Sequence, residues 1–304
     1  MTTGQIGIFA LGDAAHGFLE FSLKPGADAL ALATAIECVK EPRSTVGGVN
    51  RVIGFRPSLW RTLVPDEMPE ELHDFDAAIR GPDGFVMPAT QADVWIWFAA
   101  ANYDIVFDCG REEIEAAAPF ATLAREITGW SYRHNRDLTG FEDGTENPTL
   151  DEAPEIVLIP DGRRGAGGSV LLFQQWRHDG TAFTSLLESV QEKVIGRTKA
   201  DSIEFDETAM PADSHVSRTT LQVDGKELKI FRRNVPYGTV SDHGTLFVGF
   251  SAEQRRLRLM LEQMAGIGGP RDALTRYTTP LTGAYYFVPS IQVLRRLCPS
   301  QEES

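Results

Sequence analysis

Gly140-Phe141-Glu142-Asp143-Gly144-Thr145-Glu146-Asn147-Pro148 sets a carboxylate between two glycines and stops on a proline, just after the extended-looking run Trp130 to His134. Glycine on either side lets the backbone turn tightly and pass close to something bulky, while the turn aims the acid. Alone, the stretch reads as a solvated acidic turn. It does not stand alone. Downstream lie Asp213-Ser214-His215-Val216-Ser217-Arg218 and then Lys229-Ile230-Phe231-Arg232-Arg233-Asn234-Val235-Pro236-Tyr237-Gly238. A carboxylate, a lone histidine and an arginine are thereby spread over two halves of one chain.

The elements on either side of the acidic stretch share a rhythm. Upstream, Ile6 to Leu11 and His16 to Leu23 read as strands joined by the turn Gly12 to Ala15. Ala29 to Val39 is an amphipathic helix with Asp28 as its N-cap, and Val49 to Phe55 is a strand. Asp66 to Leu72 is a surface excursion, and Asp93 to Ala99 is strongly strand-like. A helical region is expected within Arg111 to Ile127, split or kinked by Pro119. Downstream, Ser169 to Trp176 is a strand. Phe183 to Ile195 is a helix with Leu186, Leu187, Val190 and Val194 inward. Thr219 to Val223 and Leu228 to Phe231 form a hairpin around Asp224-Gly225-Lys226. Thr245 to Phe250 is a strand, Ala252 to Met264 a helix, and Gly283 to Val288 a closing strand. Strands paired around helices give a split-βαβ layer. The fold expected is α+β, two ferredoxin-like halves with antiparallel sheets packed between helices. No sequence repeat is visible, so the duplication rests on element order. Prolines and glycines concentrate in Thr149 to Gly168, which places the boundary there and gives domains of residues 1–148 and 149–304.

Bulk composition narrows the function classes. The chain has 304 residues, and its 29 basic against 43 acidic residues leave a net charge of −14. An acidic chain without basic patches argues against nucleic acid and anionic membrane surfaces. No run of 18 apolar residues marks a membrane span. The N-terminus carries neither a Sec-type nor a twin-arginine signal, so the expected location is cytoplasmic. Cys38, Cys109 and Cys298 are far apart and form no C-x-x-C pair, so no disulfide framework or thiolate metal site is expected, and Cys38 reads as a core residue of its helix. Gly162 to Gly168 fits no phosphate-binding glycine pattern and reads as a flexible turn.

Six histidines, His16, His73, His134, His178, His215 and His243, include no pair at zinc-binding spacing. A lone imidazole is nonetheless sufficient for haem iron. The order and spacing of the acidic stretch, of His215 and of Phe231 to Gly238 resemble the dye-decolourising peroxidases, in particular their compact bacterial type B branch. The resemblance covers essentially the whole chain. It implies a b-type haem in the C-terminal half, with His215 as proximal iron ligand and Asp143, Arg232 and Asn234 on the distal face. Gly144 and Arg197 are carried over as haem-side contacts, Arg197 toward the propionates, with a plain surface helix end as the other reading of Arg197-Thr198-Lys199. Asp272 is carried over as the carboxylate that polarises His215, with Asp213 and Asp242 as competitors for that role. Arg232 is chosen over Arg233 because strand neighbours face opposite sides and the family's arginine stands two residues before the asparagine.

The chemistry implied is reduction of hydrogen peroxide and one-electron oxidation of bulky dyes, phenols or similar organic reductants. Trp176, Tyr237, Tyr285 and Tyr286 are candidates for carrying an electron toward the surface. A homo-oligomer, dimer or higher, is expected, and the short tail Cys298 to Ser304 speaks against docking in an encapsulin shell. The principal rival is a haem-binding or haem-handling protein with incidental peroxidase activity, for which a distal acid–guanidinium pair serves no purpose. A third reading is a haem-free hard-cation site at Asp143, Glu142 and Glu146.

Overall fold

The computed structural model describes residues 3–39, 48–133, 136–223 and 225–298. His134, Asp224 in the expected hairpin turn and residues 299–304 of the tail lie outside these.

The strand Val94–Ala100 shows how the layers arise. Every residue in it is buried, but alternate side chains are buried in different places. Trp95 and Trp97 join Phe18, Phe173 and Tyr286 in one apolar cluster. Val94, Ile96 and Phe98 join Leu32, Ile36 and Val106 in another. A strand whose two faces are both apolar needs a covering layer on each side.

Eight strands supply that arrangement: β1 (Ala15–Leu23), β2 (Val49–Phe55), β3 (Val94–Ala100), β4 (Ala121–Trp130), β5 (Ser169–His178), β6 (Val235–Gly238), β7 (His243–Ser251) and β8 (Ala284–Val288). The first four lie in the order β4-β1-β3-β2, and the last four in the order β8-β5-β7-β6. All these pairings are antiparallel. The two runs meet at both ends, through Phe55↔Phe287 and through Gly129↔Tyr237. The strands therefore close around the cluster of Phe18, Trp95, Trp97, Phe173 and Tyr286. Helices α1 (Ala29–Glu37) and α2 (Tyr103–Ala117) cover the outside of the first run, while α3 (Glu188–Ile195), α4 (His215–Thr219) and α5 (Gln254–Met264) belong to the second. The result is a mixed α/β fold. Among the described residues no helix is long and apolar enough to cross a membrane.

Several expectations hold, among them the Asp28 cap, whose side chain accepts from the N–H groups of Leu30 and Ala31. Others do not. Ile6–Ile8 is a short 3-10 turn rather than a strand. The side chain of Gln5 takes the partner's place there, accepting from Ile53 N at 2.7 Å and donating to the carbonyls of Ile53 and Pro289. The helix expected to continue to Ile127 ends at Ala117, and Ala121–Trp130 is a strand. Pro119 removes a helical N–H, and the β-branched Thr122, Ile127 and Thr128 favour the pleat beyond it. Phe183 to Ile195 divides into Gly180–Thr184 and α3, leaving Leu187 75 % exposed rather than inward. The expected hairpin shrinks to Gln222–Val223 with Lys226–Glu227, because Phe231–Arg232 pairs with β7 instead.

The cysteine reading is corrected as well. Cys38 is the exposed C-cap of α1, not a core residue, and it forms a disulfide with Cys298, 260 residues away. Sequence distance hid the pair: the Cα atoms stand 5.5 Å apart only because the C-terminal segment returns to α1, where Thr34 Oγ1 also donates to Leu297 O.

Candidate active site

The acidic stretch does what its glycines allow. Gly140 and Gly144 both have positive φ, 88° and 77°, a region that a side chain would strain. Between them the chain doubles back: Arg136 bridges Glu142, Asp137 N donates to Phe141 O, and Gly140 N donates to Asp137 O. Asp143 emerges from this turn into a cavity holding about 1300 Å3 of empty space, part of it open to solvent. The cavity lies between the outer face of β5 and β7, which present Trp176, Thr245 and Phe247, and the helix α5, which presents Met260 and Met264.

All seven residues singled out by sequence line this one cavity: Asp143, Gly144, Arg197, His215, Arg232, Asn234 and Asp272. His215 opens α4, whose N-cap Ser214 accepts from Ser217 N. Its Nδ1 lies 2.7 Å from Oδ2 of Asp272, a carboxylate with no exposed surface. The other oxygen of Asp272 accepts from Leu274 N at 2.9 Å, so both carboxylate oxygens are committed. With Nδ1 tied, Nε2 is the ring nitrogen left to face the cavity. The competitors for this partnership are placed elsewhere. Asp213 pairs with Arg276 at 3.0 Å, and Asp242 belongs to the Thr239 turn.

Arg232 and Arg233 face opposite ways. Arg232 lines the cavity. Arg233 donates to Ile8 O at 2.8 Å and lies over the Trp97 ring, and burial lowers its pKa to about 10. Asn234 brings a buried Oδ1 with no protein partner to the same cavity. Such a buried acceptor is costly unless something in the cavity donates to it. Arg197, following the left-handed Gly196 that ends α3, donates to Thr145 and pairs with Glu146 and Glu204 at 3.4 and 3.3 Å. His178, at the cavity wall, is held neutral by burial and by His243, its pKa lowered to about 4.

Two residues of this site were not singled out by sequence. Asn147 Nδ2 donates to Arg232 O at 2.8 Å, and its Oδ1 accepts from Arg232 N at 2.9 Å. One side chain thus clamps the acidic stretch to the strand bearing Arg232. The amide before Pro148 was the available signal, but its partner is 85 residues away. The other is Asp137, a second carboxylate on the cavity wall.

The hard-cation reading fails. Among the described residues no group of three or more His, Cys, Asp or Glu side chains is placed to hold a metal ion. Glu142 accepts from Ser202 Oγ, and Glu146 pairs with Arg197. The four aromatic candidates for an electron path, Trp176, Tyr237, Tyr285 and Tyr286, are all buried.

Comparison with known proteins agrees with this geometry. Residues 32–131 match the family model described as Dyp-type peroxidase, N-terminal, and residues 134–293 match Dyp-type peroxidase, C-terminal. The chain is 35 % identical over 276 residues to a dye-decolorizing peroxidase of Mycolicibacterium paratuberculosis, covering 84 % of this chain and 77 % of that one. It is 34 % identical over 275 residues to that of Mycobacterium tuberculosis, covering 84 % and 82 %. Among solved structures, a Rhodococcus jostii DypB variant in complex with heme superposes with a TM-score of 0.89 at 34 % identity, over 95 % of this chain and 97 % of that one. A dye-decolorizing protein from V. cholerae gives a TM-score of 0.85, also at 34 % identity, over 95 % and 98 %. With both halves matched and the relatives covered over most of their length, the chain is a member of the dye-decolorizing (Dyp-type) peroxidase family.

Proposed function

We propose that this protein is a haem peroxidase that reduces hydrogen peroxide and oxidises bulky dyes, phenols or similar organic reductants in one-electron steps. We read the two four-stranded runs as its ferredoxin-like halves, divided within residues 149–168, with b-type haem in the C-terminal half. The observation that carries the reading is one cavity containing both an imidazole anchored through Nδ1 and an acid–guanidinium–amide set.

The residues present suit the haem group. His215 offers a single free ring nitrogen, Asn234 an acceptor without a protein partner, and Arg197 a cation beside the cavity that matches a propionate in charge. Bound there, haem supplies an iron centre that stores the two oxidising equivalents of peroxide and returns them one at a time. The chain's own residues do the rest. Asp272, by accepting from Nδ1–H, fixes the tautomer and raises the basicity of Nε2. Asp143 takes a proton from one peroxide oxygen and delivers it to the other. Arg232, permanently charged, stabilises negative charge on the departing oxygen. Asn234 orients peroxide or water through its amide.

The test is Asp143→Asn in the haem-loaded protein. Haem binding should be retained while peroxide-driven turnover falls by about 10² to 10⁴-fold, the usual contribution of a positioned proton-transfer group. Unchanged peroxide reactivity would refute the assignment. A haem-handling protein, the alternative, would keep haem affinity and show no dependence on Asp143 or Arg232.

A further inference from the structure

The turn that presents Asp143 also presents a carboxylate to which this peroxide chemistry gives no task. The Arg136–Glu142 bridge sets the register, so that Asp137 stands opposite Phe141 and diagonal to Asp143 on the same face of the turn. The two are close enough for the charge of Asp143 to act on Asp137. Asp137 and Asp143 both line the haem cavity. Both also line a neighbouring cleft holding about 1120 Å3 of empty space, part of it open solvent, whose other walls include the exposed Leu11, Ser131 and Leu150. The two carboxylates therefore stand where this cavity and the cleft adjoin, both spaces being open in part to solvent.

Asp137 is anchored rather than free. Its Oδ1 accepts from Thr139 N at 2.8 Å and from Thr139 Oγ1. It is of intermediate exposure, and it faces both of the spaces it lines.

We infer that Asp137 is a proton-relay residue that acts through Asp143, passing protons from water in the cleft to the distal acid. This rests on the peroxidase reading, because the need for it is stoichiometric. Reduction of one peroxide to two waters consumes two electrons and two protons. The electrons come from two molecules of organic reductant, whose protons are released at the reductant's own site. Asp143 can move a proton within peroxide, but it cannot supply the two that balance the reaction. Those must enter from solvent, and the cleft that Asp137 shares with Asp143 is one route the geometry offers. The protonation equilibrium suits the task. Burial raises the pKa of Asp137 to about 6, and the Asp143 charge adds to this, while the Thr139 bonds and His215 oppose it. A carboxyl poised there both takes and gives protons near neutral pH. Asp143 and His215 are the titratable groups that act on it.

Three measurements on the haem-loaded protein test the inference. In wild type, the rate of peroxide turnover should rise as pH falls through about 6, and a carboxyl C=O infrared band should appear over the same range. Asp137→Asn keeps an oxygen for the Thr139 bonds. It should abolish both the band and this limb of the pH profile, with turnover about 10²-fold lower at acid pH. Asp137→Ala should recover activity with added formate, a carboxylate small enough for the cleft. Thr139→Val leaves the carboxylate in place but removes one donor that stabilises its charged form, so the limb and the band should both move to higher pH. An Asn variant with the wild-type pH profile would overturn the inference, as would a Val variant whose limb and band do not move. Wild-type protein that binds haem but does not react with peroxide would instead refute the peroxidase reading, a result the infrared titration distinguishes because it needs no turnover.

Discussion

Substituting Asp272 by asparagine changes one atom type at a fully buried position, and the surrounding hydrogen bonds dictate the consequence. Oδ2 of Asp272 lies 2.7 Å from His215 Nδ1, and Oδ1 accepts from Leu274 N at 2.9 Å. Asparagine can keep the second bond only by turning its NH2 group toward Nδ1. That nitrogen must then accept, which moves the ring proton to Nε2, the nitrogen facing the cavity. A protonated Nε2 has no lone pair for a metal. In the flipped orientation the amide NH2 meets the Leu274 N–H, two donors face to face, and the bond is lost. Either way one charge-assisted hydrogen bond disappears, worth about 1.5–3 kcal/mol. At about 1.4 kcal/mol per decade this is roughly a 10- to 100-fold loss of haem affinity, in line with what outer-sphere partners of metal-ligating histidines contribute. Titrating haem into haem-free wild-type and variant protein, followed by absorbance, measures it directly. The urea unfolding midpoint of the haem-free forms, followed by tryptophan fluorescence, is the control. Affinity within about twofold of wild type and an identical spectrum would refute the tautomer argument.

Asn147→Ala removes both bonds to the Arg232 backbone and should cost about 2 kcal/mol of stability. It should also lower the peroxide rate by about 10²-fold, because a misplaced guanidinium is as damaging as an absent one; urea unfolding and stopped-flow mixing read the two effects. His16 is kept neutral by burial and by Arg233, its pKa lowered to about 4. The unfolded chain therefore binds a proton there that the fold rejects, so stability should fall as pH drops from about 6.5 to 4, by up to about 3 kcal/mol. His16→Asn, which keeps an acceptor for Trp97 Nε1, should flatten that part of the stability–pH curve; equal slopes would contradict the argument. Reducing the Cys38–Cys298 disulfide, or replacing both cysteines by serine, should lower stability by about 2–4 kcal/mol through the long loop it closes, visible as a reductant-dependent urea midpoint in wild type alone.

The legible part of this protein is the part encoded in short windows. The run Val94–Ala100, the Asp28 cap and the two glycines around Asp143 each carry their structural consequence within a few residues. The illegible part depends on partners far along the chain. Gln5 replaces a strand because Ile53 and Pro289 are waiting for it. Leu187 is exposed because the chain breaks before α3, a choice that apolar spacing alone does not reveal. Closure of the two strand runs hangs on single bridges at Phe55 and Gly129, which no periodicity announces. Cys38 shows the same thing most plainly, since a residue with no local reason to pair finds its partner at the other end of the chain.

The site itself belongs to both kinds. Residue types suggested the chemistry, but five separated segments had to be brought together to place the candidate residues in one cavity. The turn bearing Asp143 gains its position from contacts that are not its own: Asn147 reaches the Arg232 backbone, Thr145 and Glu146 reach Arg197, and Arg136 reaches the carbonyl of Lys199. The acid is thus held by the same segments that supply the arginines. Weakening any of these clamps lets the carboxylate and the guanidinium drift together in the folded protein, so small losses of stability in this turn should appear as disproportionate losses of peroxide reactivity. A mutation of equal cost among Phe18, Trp97 and Phe173, inside the closed strands, should leave the reactivity of the folded fraction intact. Comparing the two sets at matched stability separates a site built on its scaffold from one built by its own cross-links, and the hydrogen bonds of residues 136–147 assign this protein to the second kind.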